Sequence, residues 1–154
     1  MAKWGMFGFD ADVSTTVKNV DDLTNAVRER YAGKRKTPPG AEKCLNSFED
    51  VLKMFVYVDG LGHEVCRVRV SNADVRDSLL SDIKKLFDDN SSTIDFGLYF
   101  SCHGSGEGNL CIGDPSESLH PCVVFNTWMY RSGANSRCTL VFCGVIRKFR
   151  LILA

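Results

Sequence analysis

Two largely apolar runs, one in the middle of the chain and one near its end, are the strongest structural signals in the sequence. The first extends from Ile94 to Cys102, and the second extends from Cys138 to Phe142 and is followed by Cys143. Nearly continuous apolar runs of this length are typical of strands that are buried on both faces of a sheet. We therefore predict two core strands, of which the second either ends at Phe142 or continues to Ile146.

Three further segments have the period or the composition of a strand. Gly5 to Phe9 is mildly apolar, His63 to Val70 alternates apolar with charged residues, and Leu110 to Asp114 is short and apolar. The alternation predicts that His63 to Val70 is an edge or half-covered strand, with its valines and Cys66 on one face and its arginines facing water. A fourth segment, Val123 to Tyr130, is apolar, but its pattern fits a strand or a helix.

Three segments carry apolar side chains at the spacing of one helix face. The first helix is predicted to begin at Asn19, because two aspartates would then lie in its first turn. The second spans about Ala41 to Val56, and the third follows a cap at Ser71 or Asn72. Strands and helices thus alternate along the chain. This order predicts a doubly wound α/β fold with a mostly parallel sheet and helices on both faces.

The overall composition is that of a single globular domain, residues 1–154. Lys plus Arg and Asp plus Glu each number 19, so no net charge draws the protein to nucleic acid or to an anionic membrane. No apolar stretch reaches the roughly 18 residues that span a bilayer, and the amino terminus lacks the apolar core of a signal peptide. We therefore expect a cytoplasmic protein with no nucleic-acid and no membrane partner.

Seven cysteines are present, and none of them belongs to a CxxC pair. Without a secretory signal, we expect reduced thiols that serve mostly as small core residues. A zinc site would need ligands in closely spaced pairs. The adjacent Cys102 and His103 do not fit this need, because neighbours on a strand point to opposite faces. We expect neither a metal nor a cofactor.

The residues that could perform chemistry lie where the two core strands end. His103 and Gly104 follow the first run, and Cys143 follows the second. If the two strands are parallel neighbours, His103 and Cys143 leave the sheet at the same edge, as a histidine base and a cysteine nucleophile require. The N–H of Gly104 is then a candidate oxyanion donor. The plainer reading, a histidine that bonds the next loop and a core cysteine, stays open.

The other cysteines of this region are expected to be poorer partners for His103. Cys102 should point into a helix-covered face of the sheet. Cys138 begins its strand and should therefore lie roughly 16 Å from the far end. Cys111 and Cys122 lie in or beside the short elements that follow His103, and we expect them to be core or rim residues.

Several of these segments resemble the caspase family, including the metacaspases, over roughly residues 39–149. Leu98 to Gly104 is similar to the segment that ends in the catalytic His-Gly of that family. Gly108 to Asp114 is similar to the hairpin that follows it, and Cys138 to Cys143 to the strand that carries the catalytic cysteine. The resemblance implies a three-layer caspase-like domain of the large-subunit type, incomplete at its carboxyl end, and a cysteine endopeptidase with a role in apoptosis.

The resemblance also implies a role for each site residue. Cys143 would be the nucleophile, His103 would protonate the leaving amine and activate water, and the N–H groups of Gly104 and Cys143 would bind the oxyanion. The substrate would be a peptide or protein, with cleavage after Asp or after Arg or Lys both open. A separate small subunit or a caspase-like chain would be the partner.

Two alternatives compete with an active peptidase. The family usually has a small or acidic residue before its cysteine, whereas Phe142 stands here. If the last strand continued to Ile146, the position of the family's cysteine would fall on Val145 or Ile146, and the protein would be an inactive homologue that regulates a partner. The other alternative is a nucleotide- or small-ligand-binding domain that uses the glycine-rich loop from Gly104 to Gly108, although this loop lacks both GxxxxGK[ST] and GxGxxG.

Overall fold

The computed structural model describes residues 1–9, 17–32, 47–71, 76–105, 107–112, 117–132, 135–142 and 145–150. The helices of this part of the chain are α1 (Val20–Ala32), α2 (Ser47–Gly60), α3 (Arg76–Asp89) and α4 (Pro121–Arg131). The longer strands are β1 (Lys3–Phe9), β2 (Glu64–Ser71), β3 (Asp95–Ser101), β7 (Arg137–Phe142) and β8 (Val145–Arg150). The short strands are β4 (His103–Gly104), β5 (Leu110–Cys111) and β6 (Ser118–Leu119).

The five longer strands form one sheet in the order β2-β1-β3-β7-β8. The first four of these strands are parallel to one another, and β8 runs antiparallel to β7. The three short strands form a separate antiparallel ribbon in the order β4-β5-β6. The predicted α/β architecture with a mostly parallel sheet is therefore confirmed.

Two hydrophobic cores lie on the two faces of the large sheet, because successive side chains of a strand point to opposite faces. Phe7 and Leu98 belong to the core that contains residues of α3 and α4. Met6 and Tyr99, their chain neighbours, belong to the core that contains residues of α1 and α2. The helices thus cover both faces, as predicted for a doubly wound fold.

The edge strand β2 contains a bulge that the alternating sequence does not predict. The register of β2 shifts between Trp4 and Gly5 of β1, and Cys66 is the extra residue. Val65 therefore lies in the same core as the two later valines of the strand, whereas Cys66 packs against the opposite core. The expectation that Cys66 shares a face with the valines is wrong for this reason.

The half-covered character of β2 is confirmed by its arginines. Arg67 pairs with Asp89 and Arg69 pairs with Asp82, and both arginine side chains are about one quarter exposed. These partners lie on α3, so α3 covers part of the edge strand and neutralises its charges. The arginines face the boundary between helix and water rather than open solvent.

Helix boundaries follow local capping. The N–H of Asp22 donates to Asn19 Oδ1 at 2.9 Å, so Asn19 caps α1, which begins at Val20, one residue after the predicted start. The second helix continues beyond Val56 to Gly60, and the first residues predicted for it, 41–46, lie outside the described part of the chain. Ser71 is the last residue of β2, and its predicted role as the cap of α3 stays a prediction because residues 72–75 lie outside the described part of the chain. Asn72, the other candidate cap, lies outside the described residues.

The ambiguous segment Val123 to Tyr130 is helical and belongs to α4. Pro121 occupies the first turn, where its missing N–H and fixed φ suit a helix start. His120 is the N-cap, and its Nδ1 accepts a hydrogen bond from the N–H of Cys122 at 3.1 Å. Two local signals before the apolar run therefore decide between helix and strand.

The last predicted strand does not continue to Ile146. β7 ends at Phe142, and Val145 begins β8 opposite Phe142. Ile146 is likewise the antiparallel partner of Val141. The chain has therefore reversed its direction before Val145. Of the two ends predicted for the last strand, Phe142 is confirmed, and the continuation to Ile146 is wrong.

Candidate active site

The carboxyl ends of three parallel strands meet at one edge of the sheet. Phe7, Phe100 and Phe142 are register partners on β1, β3 and β7. Their rings are stacked, with centroids 5.3 Å apart between Phe7 and Phe100 and 5.6 Å apart between Phe100 and Phe142. β3 and β7 are parallel neighbours, which is the condition on which the predicted site depends. Ligands of open α/β sheets bind at this kind of edge.

His103 lies just beyond this edge. β3 ends at Ser101, and His103 begins β4 two residues later. Its side chain is exposed, and its imidazole makes no hydrogen bond or ion pair to any residue that the structure describes. The plainer reading, in which His103 bonds the next loop, is therefore not supported within the described residues. An exposed imidazole without such partners can exchange protons with a bound molecule.

Gly104 pairs with Leu110 in the same ribbon and is exposed. A Cβ at this position would meet only the carbonyl oxygen of Asn109, at 3.9 Å. Neither crowding nor a left-handed backbone therefore requires glycine here. What glycine provides is a backbone without a covering side chain, which an oxyanion donor needs. The oxyanion role of Gly104 stays a prediction.

The glycine-rich turn after Gly104 is held together by Ser105. Its Oγ accepts hydrogen bonds from the N–H groups of Glu107 and Asn109, at 3.3 and 3.1 Å. Its carbonyl oxygen accepts from the N–H of Gly108, whose φ of 83° suits a glycine. Because these amides are engaged within the turn, the described part of the loop does not offer them to a phosphate. This disfavours the nucleotide-binding alternative.

Burial separates the cysteines of this region into two groups. Cys102 and Cys138 are 3% and 1% exposed in the core beneath α3 and α4. Burial raises the pKa of the Cys138 thiol to about 12, and a neutral buried thiol is a poor nucleophile. The expectation that these two are poor partners for His103 is confirmed. Cys122 is exposed in the first turn of α4, and Cys143 lies outside the described residues.

Cys111 is the thiol that the described structure brings next to His103, and the sequence did not indicate this. Cys111 lies directly opposite His103 on one side and Ser118 on the other. Opposite residues of an antiparallel pair project to the same face, with Cβ atoms about 4.5–5.5 Å apart. Cys111 is half-buried. Of the two positions left open for it, core or rim, the structure gives the rim.

A buried polar network supports the edge from the α2 side, and sequence reasoning missed it. Ser101 Oγ donates to Asp50 Oδ2, and Ser47 Oγ donates to the carbonyl of Ser101, both at 2.9 Å. Both serines are fully buried. Ser47 also lies so close to β1 that a Cβ on Gly8 would be 3.0 Å from Ser47 Cβ. These contacts hold the first turn of α2 against the end of β3, the strand that leads to His103.

Comparison with protein-family models and with curated proteins found no match for this chain. Among the residues that the structure describes, no group of three or more His, Cys, Asp or Glu side chains is arranged to hold a metal ion. No helix in the same residues is long and apolar enough to cross a bilayer. The function of the edge is therefore inferred from its own residues.

Proposed function

We propose that the protein is a caspase-like cysteine endopeptidase in which Cys143 is the nucleophile and His103 transfers protons. The proposal is supported mainly by the parallel pairing of β3 with β7, in which Phe100 and Phe142 are register partners. From these two strand ends the chain continues to His103 and to Cys143.

The course of the chain after β7 favours an active enzyme over an inactive homologue. The inactive reading needs Val145 or Ile146 at the end of the parallel strand. Both residues instead lie in the antiparallel strand β8. Cys143 is therefore the residue that follows the last parallel strand directly in the sequence, as the proposed nucleophile should.

In the proposed reaction, His103 takes the proton of the Cys143 thiol, and the thiolate attacks the carbonyl carbon of the scissile peptide bond. The N–H groups of Gly104 and Cys143 bind the resulting oxyanion. His103 then donates its proton to the leaving amine, and the acyl-enzyme forms. Water that is activated by the same imidazole hydrolyses the thioester. The exposed position of His103 suits a group that must donate a proton to the leaving amine and then take one from water.

The proposal extends to substrate, partner and location. The substrate is a peptide or protein, and the partner is a small subunit or a caspase-like chain in the cytoplasm. β8 occupies the position beside β7 in the sheet. A partner that extended the sheet on this side would therefore pair with the outer edge of β8 by strand addition.

Active-site labelling tests the proposal. The full chain is incubated with peptidyl fluoromethyl ketones that carry Asp, Arg or Lys next to the reactive group, and the adduct is located by mass spectrometry. We expect one adduct, on Cys143, which is lost in Cys143→Ala and forms about tenfold more slowly in His103→Ala. Cys122→Ala removes a different, exposed thiol and should label at the wild-type rate.

Two results would count against the peptidase. One is an adduct that persists at the same rate in Cys143→Ala, which would place the reactive thiol elsewhere. The other is the failure of all three probes to modify folded protein, which would favour a homologue that binds and regulates a partner.

A further inference from the structure

The outer face of the ribbon carries a row of three functional side chains, one from each strand. His103 of β4 is opposite Cys111 of β5, and Cys111 is opposite Ser118 of β6. The inner face carries Leu110 and Leu119, which are both buried in the core. The core therefore anchors the ribbon, while the row faces away from the core and contains the exposed imidazole.

Among the described cysteines, Cys111 combines partial access to solvent with a histidine directly opposite it on the neighbouring strand. Cys102 and Cys138 are buried. Cys66 is half-buried, and burial and then the neighbouring Glu64 raise the pKa of its thiol. An imidazole can take the proton of a nearby thiol, and as an imidazolium it stabilises the thiolate.

We propose that Cys111 is a site of reversible mixed-disulfide formation with small-molecule disulfides, and that His103 promotes the reaction. The Cys111 proton passes to His103, and the thiolate attacks one sulfur of a disulfide RSSR. The Cys111–S–S–R bond forms as the original S–S bond breaks, and the leaving RS⁻ takes the proton from His103. Cys111 is oxidised and the departing RS group is reduced, so no other oxidant is consumed.

The adduct would also block the proposed active site. This consequence rests on the proposed peptidase function. The group R would be attached directly beside the imidazole that has to reach the scissile bond. Modified protein would therefore be inactive, and a reducing thiol would restore it by the reverse exchange. The ribbon would thus make the proposed peptidase sensitive to the thiol–disulfide balance.

The test measures the rate of modification at individual cysteines. The full chain is reacted with a dithiodipyridine, release of thiopyridone is followed by absorbance, and the modified cysteine is located by peptide mass spectrometry. We expect the rate at Cys111 to fall about threefold to tenfold in His103→Ala, with the rate at Cys122 unchanged. His120→Ala removes the imidazole that contacts the Cys122 N–H and is the matched control. It should leave the rate at Cys111 unchanged.

A second variant, His103→Gln, keeps a polar side chain at the exposed position and should show the same loss, with folding checked by circular dichroism. The proposal is overturned if Cys111 reacts equally fast in the wild type and in both His103 variants, or if Cys111 is not modified. The experiment needs no peptide substrate and can be repeated in Cys143→Ala. Its outcome is therefore distinct from that of the labelling of Cys143.

Discussion

Phe100 and Phe142 lie opposite each other on β3 and β7, with ring centroids 5.6 Å apart and ring planes inclined by 19°. Phe7 on β1 extends the stack to a third strand. A slip of β7 by one residue would move every side chain of the strand to the opposite face and break this stack. The aromatic stack therefore holds the register that brings the ends of β3 and β7 to one edge.

Gly97 provides the space that Trp4 fills. The two residues are register partners on β3 and β1, and a Cβ on Gly97 would lie 2.2 Å from carbon atoms of the Trp4 indole. Gly97→Ala should therefore displace this buried ring and lower the free energy of unfolding by about 1–3 kcal/mol. Urea denaturation followed by tryptophan fluorescence measures the change.

Gly60→Ala is the matched control for this prediction. A Cβ on Gly60 meets no atom within 4 Å, and its φ is not positive. The substitution should leave the stability unchanged or raise it by about 0.4–1 kcal/mol. If Gly97→Ala is as stable as Gly60→Ala, Trp4 does not pack over Gly97 in solution.

Ser101→Ala tests the buried network at the end of β3. The variant removes the hydroxyl that donates to Asp50 and leaves a half-buried carboxylate without that donor. We expect the free energy of unfolding to fall by about 1–3 kcal/mol, measured by urea denaturation at constant m-value. Ser118→Ala removes the same group where no hydrogen bond to a described residue is lost, and should change stability by about 0.5 kcal/mol or less. Equal losses in both variants would contradict the role of the network.

The sequence predicted the two core strands and the histidine at the end of the first, because continuous apolar runs are a local signal of buried strands. It did not predict that His103 lies opposite Cys111 or that Cys66 is the extra residue of a β-bulge. Both facts depend on register with a distant strand, and a segment's own pattern contains no such information. In the apolar strand β3, Ser101 was the polar residue that could have indicated a buried network.

The strand β8 was missed for a different reason. Val145 and Ile146 continue the apolar character of β7, and the two residues before them, Cys143 and Gly144, do not form the Asn-Gly or Asp-Gly pair that signals a tight hairpin. The sequence therefore left open whether the strand ends at Phe142 or continues to Ile146, and it did not predict a hairpin. The pairing of Cys143 with His103 stays a prediction, because residue 143 is not among those that the structure describes.

Cys138 should make the protein less stable at alkaline pH. Its pKa is about 12 in the folded chain, against an ordinary value of 9.0. Between these values the unfolded chain releases the proton and the folded chain keeps it. The free energy of unfolding therefore falls as the pH rises through this range, by at most about 1.4 kcal/mol per pH unit.

Cys138→Ala isolates this contribution from those of other groups that titrate in the same range. The difference in unfolding free energy between wild type and variant, measured in urea, should be constant below about pH 8 and should shift against the wild type above about pH 9. A difference that is independent of pH up to about pH 11 would mean that the thiol ionises normally in the folded state.

We propose that His103 and Cys143 act together at one edge of the sheet, and the rate at which iodoacetamide alkylates Cys143 at neutral pH measures the effect of the imidazole on the thiol. Iodoacetamide carries no peptide, so the rate reports on the thiol and not on substrate fit. We predict that Cys143 reacts about tenfold faster in the wild type than in His103→Ala, with the rate at Cys122 unchanged. Equal rates at Cys143 in the two proteins would contradict the claim.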